Sequence, residues 1–147
     1  MAPYQFSFEK LEVWQLSRQL AGEIYRVTKA FPADEKYSLV SQIRRSAVSV
    51  SANIAEGTSR QTAKDQAHFT VIAFSSLMEL FNHLIIAGDL AYIKETELNS
   101  FREKIQPLSV KLSNLRASQV KRIGSLKMLW LLIIGSQIIQ PLLPLQS

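Results

Sequence analysis

The stretch SQIRRSAVSVSANIAEGTSR, residues 41–60, decides the fold. At 100° per residue, with Gln42 at zero, Arg45, Ser46, Ser49, Asn53 and Glu56 fall within about 60° of it. Leu39, Ile43, Ala47, Val50 and Ile54 gather roughly 100° away. The segment therefore reads as an amphipathic helix with a true polar row. Its far side, Arg44, Val48, Ser51, Ala52 and Ala55, is mostly small and allows a neighbouring backbone to come close. Such a row suits an active site, a nucleic-acid surface, or the polar seam of an oligomer.

Upstream, Val13, Leu20, Ile24, Val27 and Phe31 keep helical spacing over residues 9–29, with Leu11, Trp14, Ala21 and Tyr25 on a neighbouring strip. Phe31-Pro32 ends that helix, because the residue before a proline is driven out of the helical region. Asp34 or a neighbour is placed to cap the second helix, and Gly57 to stop it in a left-handed conformation. Thr62 with Asp65 three residues on predicts the start of a third helix that continues to about Gly88.

That third helix carries two apolar strips. Val71, Phe74, Met78, Phe81 and Ile85 form one; Phe69, Ile72, Ala73, Leu80, Leu84 and Ala87 form the other, so it requires cover on two sides. Leu98, Phe101, Ile105, Leu108, Leu112 and Leu115 alternate spacings of three and four, the seam of a left-handed bundle, with Pro107 expected to kink or divide the helix. The pattern predicts an all-α, antiparallel up-and-down four-helix bundle over residues 1–118, oligomeric, followed by a basic and then apolar C-terminal extension over residues 119–147.

Composition narrows the function classes. The chain has 147 residues, 47% hydrophobic and 20% charged, which suits one globular domain. Five Gly and five Pro, with no turn dipeptide between alternating apolar runs, argue against an all-β fold. The absence of Cys excludes a disulfide frame, a thiolate nucleophile and cysteine-ligated metal. The start shows no basic stretch followed by an apolar run, so a cytoplasmic location is expected.

Charge is segregated. Residues 1–103 hold eleven basic and twelve acidic residues; residues 104–147 hold Lys104, Lys111, Arg116, Lys121, Arg122 and Lys127 with no acid. Such a segment attracts polyanions: RNA, or an anionic membrane surface. The apolar run at 128–134 is too short to span a bilayer, which needs roughly 20 residues. A longer window admits Gln137, Gln140, Pro141 and Pro144, so a membrane partner is not expected.

Catalysis finds little support. Glu56 has no partner acid placed by the sequence, and the serines of residues 41–60 have no visible base. His68 and His83 share a helix face but lie about four turns apart, over roughly 20 Å, too far to share one metal. No glycine-rich phosphate loop, nucleophile elbow or zinc pattern occurs.

The segments FEKLEVWQLSRQLAGEIYRVTKAFP, EKYSLVSQIRRSAVSVSANIAEG and FTVIAFSSLMEL resemble the 23S rRNA intervening-sequence protein family of four-helix-bundle proteins. The specific part is Gln42-Ile43-Arg44-Arg45, Ser49 and Asn53-Ile54-Ala55-Glu56-Gly57, supported by Trp14, Tyr25, Phe31-Pro32 and Glu79; the family's glycine before the helix-three serine is replaced, giving Ser75-Ser76. The resemblance implies a homopentameric bundle. It also implies kinship with the accessory protein of diversity-generating retroelements, a basic pentamer associated with nucleic acid.

Together these readings lead to a non-enzymatic homopentamer that needs no cofactor or metal and binds RNA or DNA through phosphate contacts. The expected contacts are Arg18, Arg26, Lys29, Arg44, Arg60, Lys64, Lys104, Lys111, Lys121 and Arg122. Gln42, Arg45, Ser49, Asn53 and Glu56 are expected to form a polar network that specifies assembly. The competing expectation is an adaptor whose oligomer surface or C-terminal tail docks a protein partner.

Overall fold

The computed structural model of the protein describes residues 3–138, with side chains for residues 3–129. Every regular element among them is helical: α1 (Glu12–Val27), α2 (Leu39–Ser59), α3 (Ala63–Asp89) and α4 (Glu95–Ile138), with short 3-10 turns at Ser7–Lys10, Thr28–Ala30 and Ala33–Tyr37. The expected apolar tail lies mostly outside the described side chains.

The helix ends follow local chemistry. Phe31, extended at φ −70° and ψ 154°, closes the first helical region ahead of Pro32. Glu35, a neighbour of Asp34, opens α2: its carboxylate accepts from the Leu39 backbone N–H at 3.2 Å and from the Ser38 hydroxyl. These contacts satisfy one of the donors left open at a helix start and pull the Glu35 carboxyl below its ordinary range, the serine bond contributing most. Thr62 caps α3 as expected, accepting from Asp65 N–H at 3.0 Å, while its hydroxyl donates to the Asp65 carboxylate at 2.7 Å.

Two boundaries differ from the expectation. Gly57 does not stop α2 in a left-handed conformation: the helix runs on to Ser59, and no described glycine has positive φ. Gly57 is buried instead, for reasons of packing. The left-handed residue is Ala91 (φ 57°), in the turn after α3, where its N–H donates to Gly88 O at 2.9 Å and that of Tyr92 to Ala87 O at 2.9 Å. Pro107 does not divide the fourth helix, which passes through it; the residue is exposed, and its ring replaces an N–H without ending the helix.

The core forms largely from the predicted apolar faces, joined by Leu77 of α3, which belongs to neither expected strip. Ile24, Ile43, Val50, Leu77, Leu80, Leu84, Leu108 and Leu112 are essentially sealed from solvent. The α2–α3 interface is the most extensive, followed by α3–α4 and α1–α2. By length and hydropathy α3 would suffice to cross a membrane; here it packs between α2 and α4. Its two strips are covered unequally: Ala73, Leu80, Leu84 and Ala87 are buried, and Phe74 and Phe81 of the other strip pack partly buried against the core, whereas Val71, Met78 and Ile85 remain 37–39% exposed.

Side-chain contacts set the relative placement of the helices. Arg44, early in α2, meets Thr28 just after α1; Ser49 meets Ser76 across α2 and α3; Thr70 meets Gln119 across α3 and α4; and Lys104 and Lys111 of α4 meet Glu23 and Glu12 of α1. Burial in α4 continues past Ser118 to Gln119, after which only Ile123 is partly covered among residues 120–129.

Candidate nucleic-acid interface

The polar row of α2 sits at the edge of the α2–α3 interface. Gln42 and Arg45 are exposed, Ser46 is buried and donates to the carbonyls of Gln42 and Ile43, and Ser49 and Asn53 are half-buried. Ser49 shares a 2.8 Å hydroxyl bond with Ser76, and the Asn53 amide donates to the Ser49 carbonyl at 2.8 Å and to its hydroxyl at 3.0 Å. Arg45 donates to Gln42 and lies 3.4 Å from Glu79, while Glu56 pairs with Arg60. The row is thus half inward and half solvent-facing, and its inward members are already satisfied within the protomer.

The basic residues divide by what holds them. Arg44 is half-buried: its Nε donates to Thr28 Oγ1 at 2.8 Å, and its guanidinium lies 4.8 Å above the Tyr25 ring. Arg60 pairs with Glu56 and stacks on Phe69. Lys104 pairs with Glu23, Lys111 with Glu12 at 2.9 Å, and Arg122 donates to Gln66 at 2.7 Å. The flank formed by Lys104, Lys111 and Arg122 at helical spacing therefore ties α4 to its neighbours as well as carrying charge. Arg18 is exposed and stacks on Trp14. Arg26 is exposed but shares a recess with Glu23 and Glu97, which dilutes its field.

Lys64 and Lys121 are exposed, as are Arg116 and Lys127, and none of these enters an ion pair among the described residues. Lys29 faces a recess that also holds Lys36 and Arg44. Lys36 carries no signal in the sequence because it lies in the irregular connection between α1 and α2, where periodicity says nothing about neighbours. No group of three or more His, Asp or Glu suited to a metal occurs among the described residues, and His68 and His83 stay separate on α3.

A model of the family described as 23S rRNA-intervening sequence protein matches residues 9–114. The chain belongs to that family. The match ends before Lys121, Arg122 and Lys127, so the most exposed basic part of α4 lies beyond the family region. A solved structure from Bacteroides thetaiotaomicron, described as a protein with unknown function from the S23 ribosomal protein family, is 24% identical. It superposes with a TM-score of 0.67, covering 71% of this chain and 95% of that one, which supports the fold alone. No curated protein matches the chain.

Proposed function

We propose that this chain is a non-enzymatic, cytoplasmic, homopentameric protein, built from antiparallel up-and-down four-helix bundles, that binds RNA or DNA through phosphate contacts. The observation that carries the proposal is the acid-free stretch of α4 from Lys104 onward. From residue 104 onward there are six Lys and Arg and no Asp or Glu, and Arg116, Lys121 and Lys127 project from the helix without an ion-pair partner among the described residues. A helix of this charge concentrates polyanions regardless of base sequence, and repetition around an oligomer multiplies a weak patch into an avid one.

A salt titration tests this reading. Binding of mixed RNA and duplex-DNA oligonucleotides should weaken steeply with salt, with a log–log slope for duplex DNA of about −0.9 per phosphate neutralised. K121Q/K127Q should lower the affinity and flatten the slope by about 1 to 2. Affinity that ignores salt, or no binding at low salt, would overturn it.

The adaptor reading has its own observation. Val71, Met78 and Ile85 on α3, and Leu126, Met128 and Leu129 on α4, leave apolar surface exposed on the protomer. Truncation after Val120, which keeps the buried Gln119, separates the readings: loss of nucleic-acid affinity implicates Lys121, Arg122 and Lys127, and loss of a protein partner alone implicates the apolar residues.

A further inference from the structure

We propose that the recess where α1 gives way to α2 is a binding site for a phosphomonoester. The recess measures about 330 Å³, and three cations line it, Lys29, Lys36 and Arg44, with no carboxylate among its lining residues. Phe31, Pro32 and Val40 form its apolar wall. The site lies away from the exposed α4 cations: Glu23, near the end of α1, meets Lys104, and Lys121 is a further 25 Å or so along α4.

Arg44 is the residue that turns three charges into a site. The Thr28 hydroxyl is buried and donates to the Ile24 carbonyl at 2.8 Å, so its lone pair faces the Arg44 Nε–H, also at 2.8 Å. With Nε held there and the guanidinium face resting on Tyr25, the plane of the group is set. Its two terminal nitrogens have no protein acceptor among the described residues, and a guanidinium edge presented in this way matches two oxygens of one phosphate. Lys29 and Lys36 are exposed at the rim of the recess, where their ammonium groups can meet the remaining oxygen, Lys36 resting otherwise over the Tyr37 ring.

The surroundings favour a terminal phosphate. The acids of the adjoining turn do not compete: Asp34 is not among the lining residues, and the Glu35 carboxylate is already bonded to Ser38, Leu39 and the Tyr92 hydroxyl. Three cations are better matched by the dianion of a monoester than by the single charge of a diester. The volume exceeds that of a phosphate, and the apolar wall accommodates the carbon skeleton attached to it. Two sources share this chemistry: a free phosphorylated metabolite such as a mononucleotide, and the 5′-phosphorylated end of a nucleic-acid strand.

The test uses the full chain, isotope-labelled, titrated with adenosine 5′-monophosphate and, separately, with adenosine. The nucleotide should move the amide resonances of Lys29, Lys36 and Arg44 while adenosine leaves them in place, and K29Q/K36Q should weaken nucleotide binding at least tenfold. Both lysines are exposed, so that variant keeps its fold; R44K, which retains charge but loses the two-pronged edge, should weaken binding as well. Equal responses to the two probes, no response to either, or unchanged affinity in K29Q/K36Q would overturn the site. Matched 5′-phosphorylated and 5′-hydroxyl oligonucleotides then distinguish the source: preference for the phosphorylated strand assigns a strand end, and equal affinity beside an intact nucleotide response assigns a free ester. Absence of oligonucleotide binding with the nucleotide response intact would reject the nucleic-acid function while supporting this site.

Discussion

Gly57 and Phe69 bring α2 and α3 together so closely that a Cβ added to Gly57 would lie 2.9 Å from the Cβ of Phe69. The Phe69 atom is the root of its side chain, so rotation of the ring cannot relieve the clash, and the helices themselves must separate.

Gly57→Ala should therefore destabilise the protomer by about 1–3 kcal/mol, the usual cost of overpacking. Gly22 supplies the contrast: it is an exposed residue within α1, and an added Cβ meets only the tip of the Arg26 side chain at 3.8 Å. Gly22→Ala should stabilise by about 0.4–1 kcal/mol. Chemical denaturation of the two variants checks both signs, and equal effects would remove the close-approach explanation.

Thr70 and Gln119 join α3 to α4 through a buried 2.9 Å contact, the single threonine hydroxyl proton being shared between Gln119 Oε1 and the Gln66 carbonyl at 3.0 Å. Thr70→Val removes the hydroxyl and leaves Gln119 without that partner, at a cost of about 1–3 kcal/mol. Thr70→Val with Gln119→Leu should recover part of the loss, because neither polar group is then stranded. A double-mutant cycle on unfolding free energies measures the coupling; additive effects would show that the bond is not what holds this turn of α4.

Arg45 and Glu79 form an exposed pair, with side chains 71% and 43% accessible, and such pairs contribute at most about 1 kcal/mol. Arg45→Ala should consequently leave protomer stability nearly unchanged while weakening the oligomer proposed above. Asn53→Ala should also weaken the oligomer, with a small protomer cost from loss of the Asn53 amide bonds to Ser49. Light-scattering mass across a dilution series checks this, and wild-type mass for both variants would dismiss the polar row as an assembly element.

Glu35 and Tyr92 shift each other in opposite directions. Hydrogen bonding to Ser38, then to the Leu39 N–H, lowers the Glu35 carboxyl, and the bond to Glu35 raises the Tyr92 phenol above its ordinary value of 10.0. For a lowered acid the stabilisation is present above its unfolded value and lost as pH falls through the folded one. For the raised phenol it is present below pH 10.0 and lost as pH rises through the folded value. Tyr92→Phe should flatten the stability profile on the alkaline side and reduce the acid-side loss slightly; Ser38→Ala should affect the acid side more. Denaturation midpoints recorded across pH for both variants separate the two contributions, and parallel profiles would refute them.

The apolar periods of residues 9–29, 39–54 and 98–115 make the helices and much of the core legible in the sequence, because burying one face of a helix requires neighbours three and four residues apart. Thr62 with Asp65 is equally legible, since a cap is a local bond. Segregation of charge into residues 104–147 is likewise a property of the sequence alone. The role of Gly57 is not legible there: a helix stop and a close approach favour the same residue, and only the position of Phe69 on a different helix chooses between them. Nor can spacing show that Lys104 and Lys111 meet acids on α1, or that Lys29, Lys36 and Arg44 share one recess. Those relations depend on how separate helices pack and on an aperiodic turn, and electrostatic strength follows distances in space, which tertiary structure alone determines.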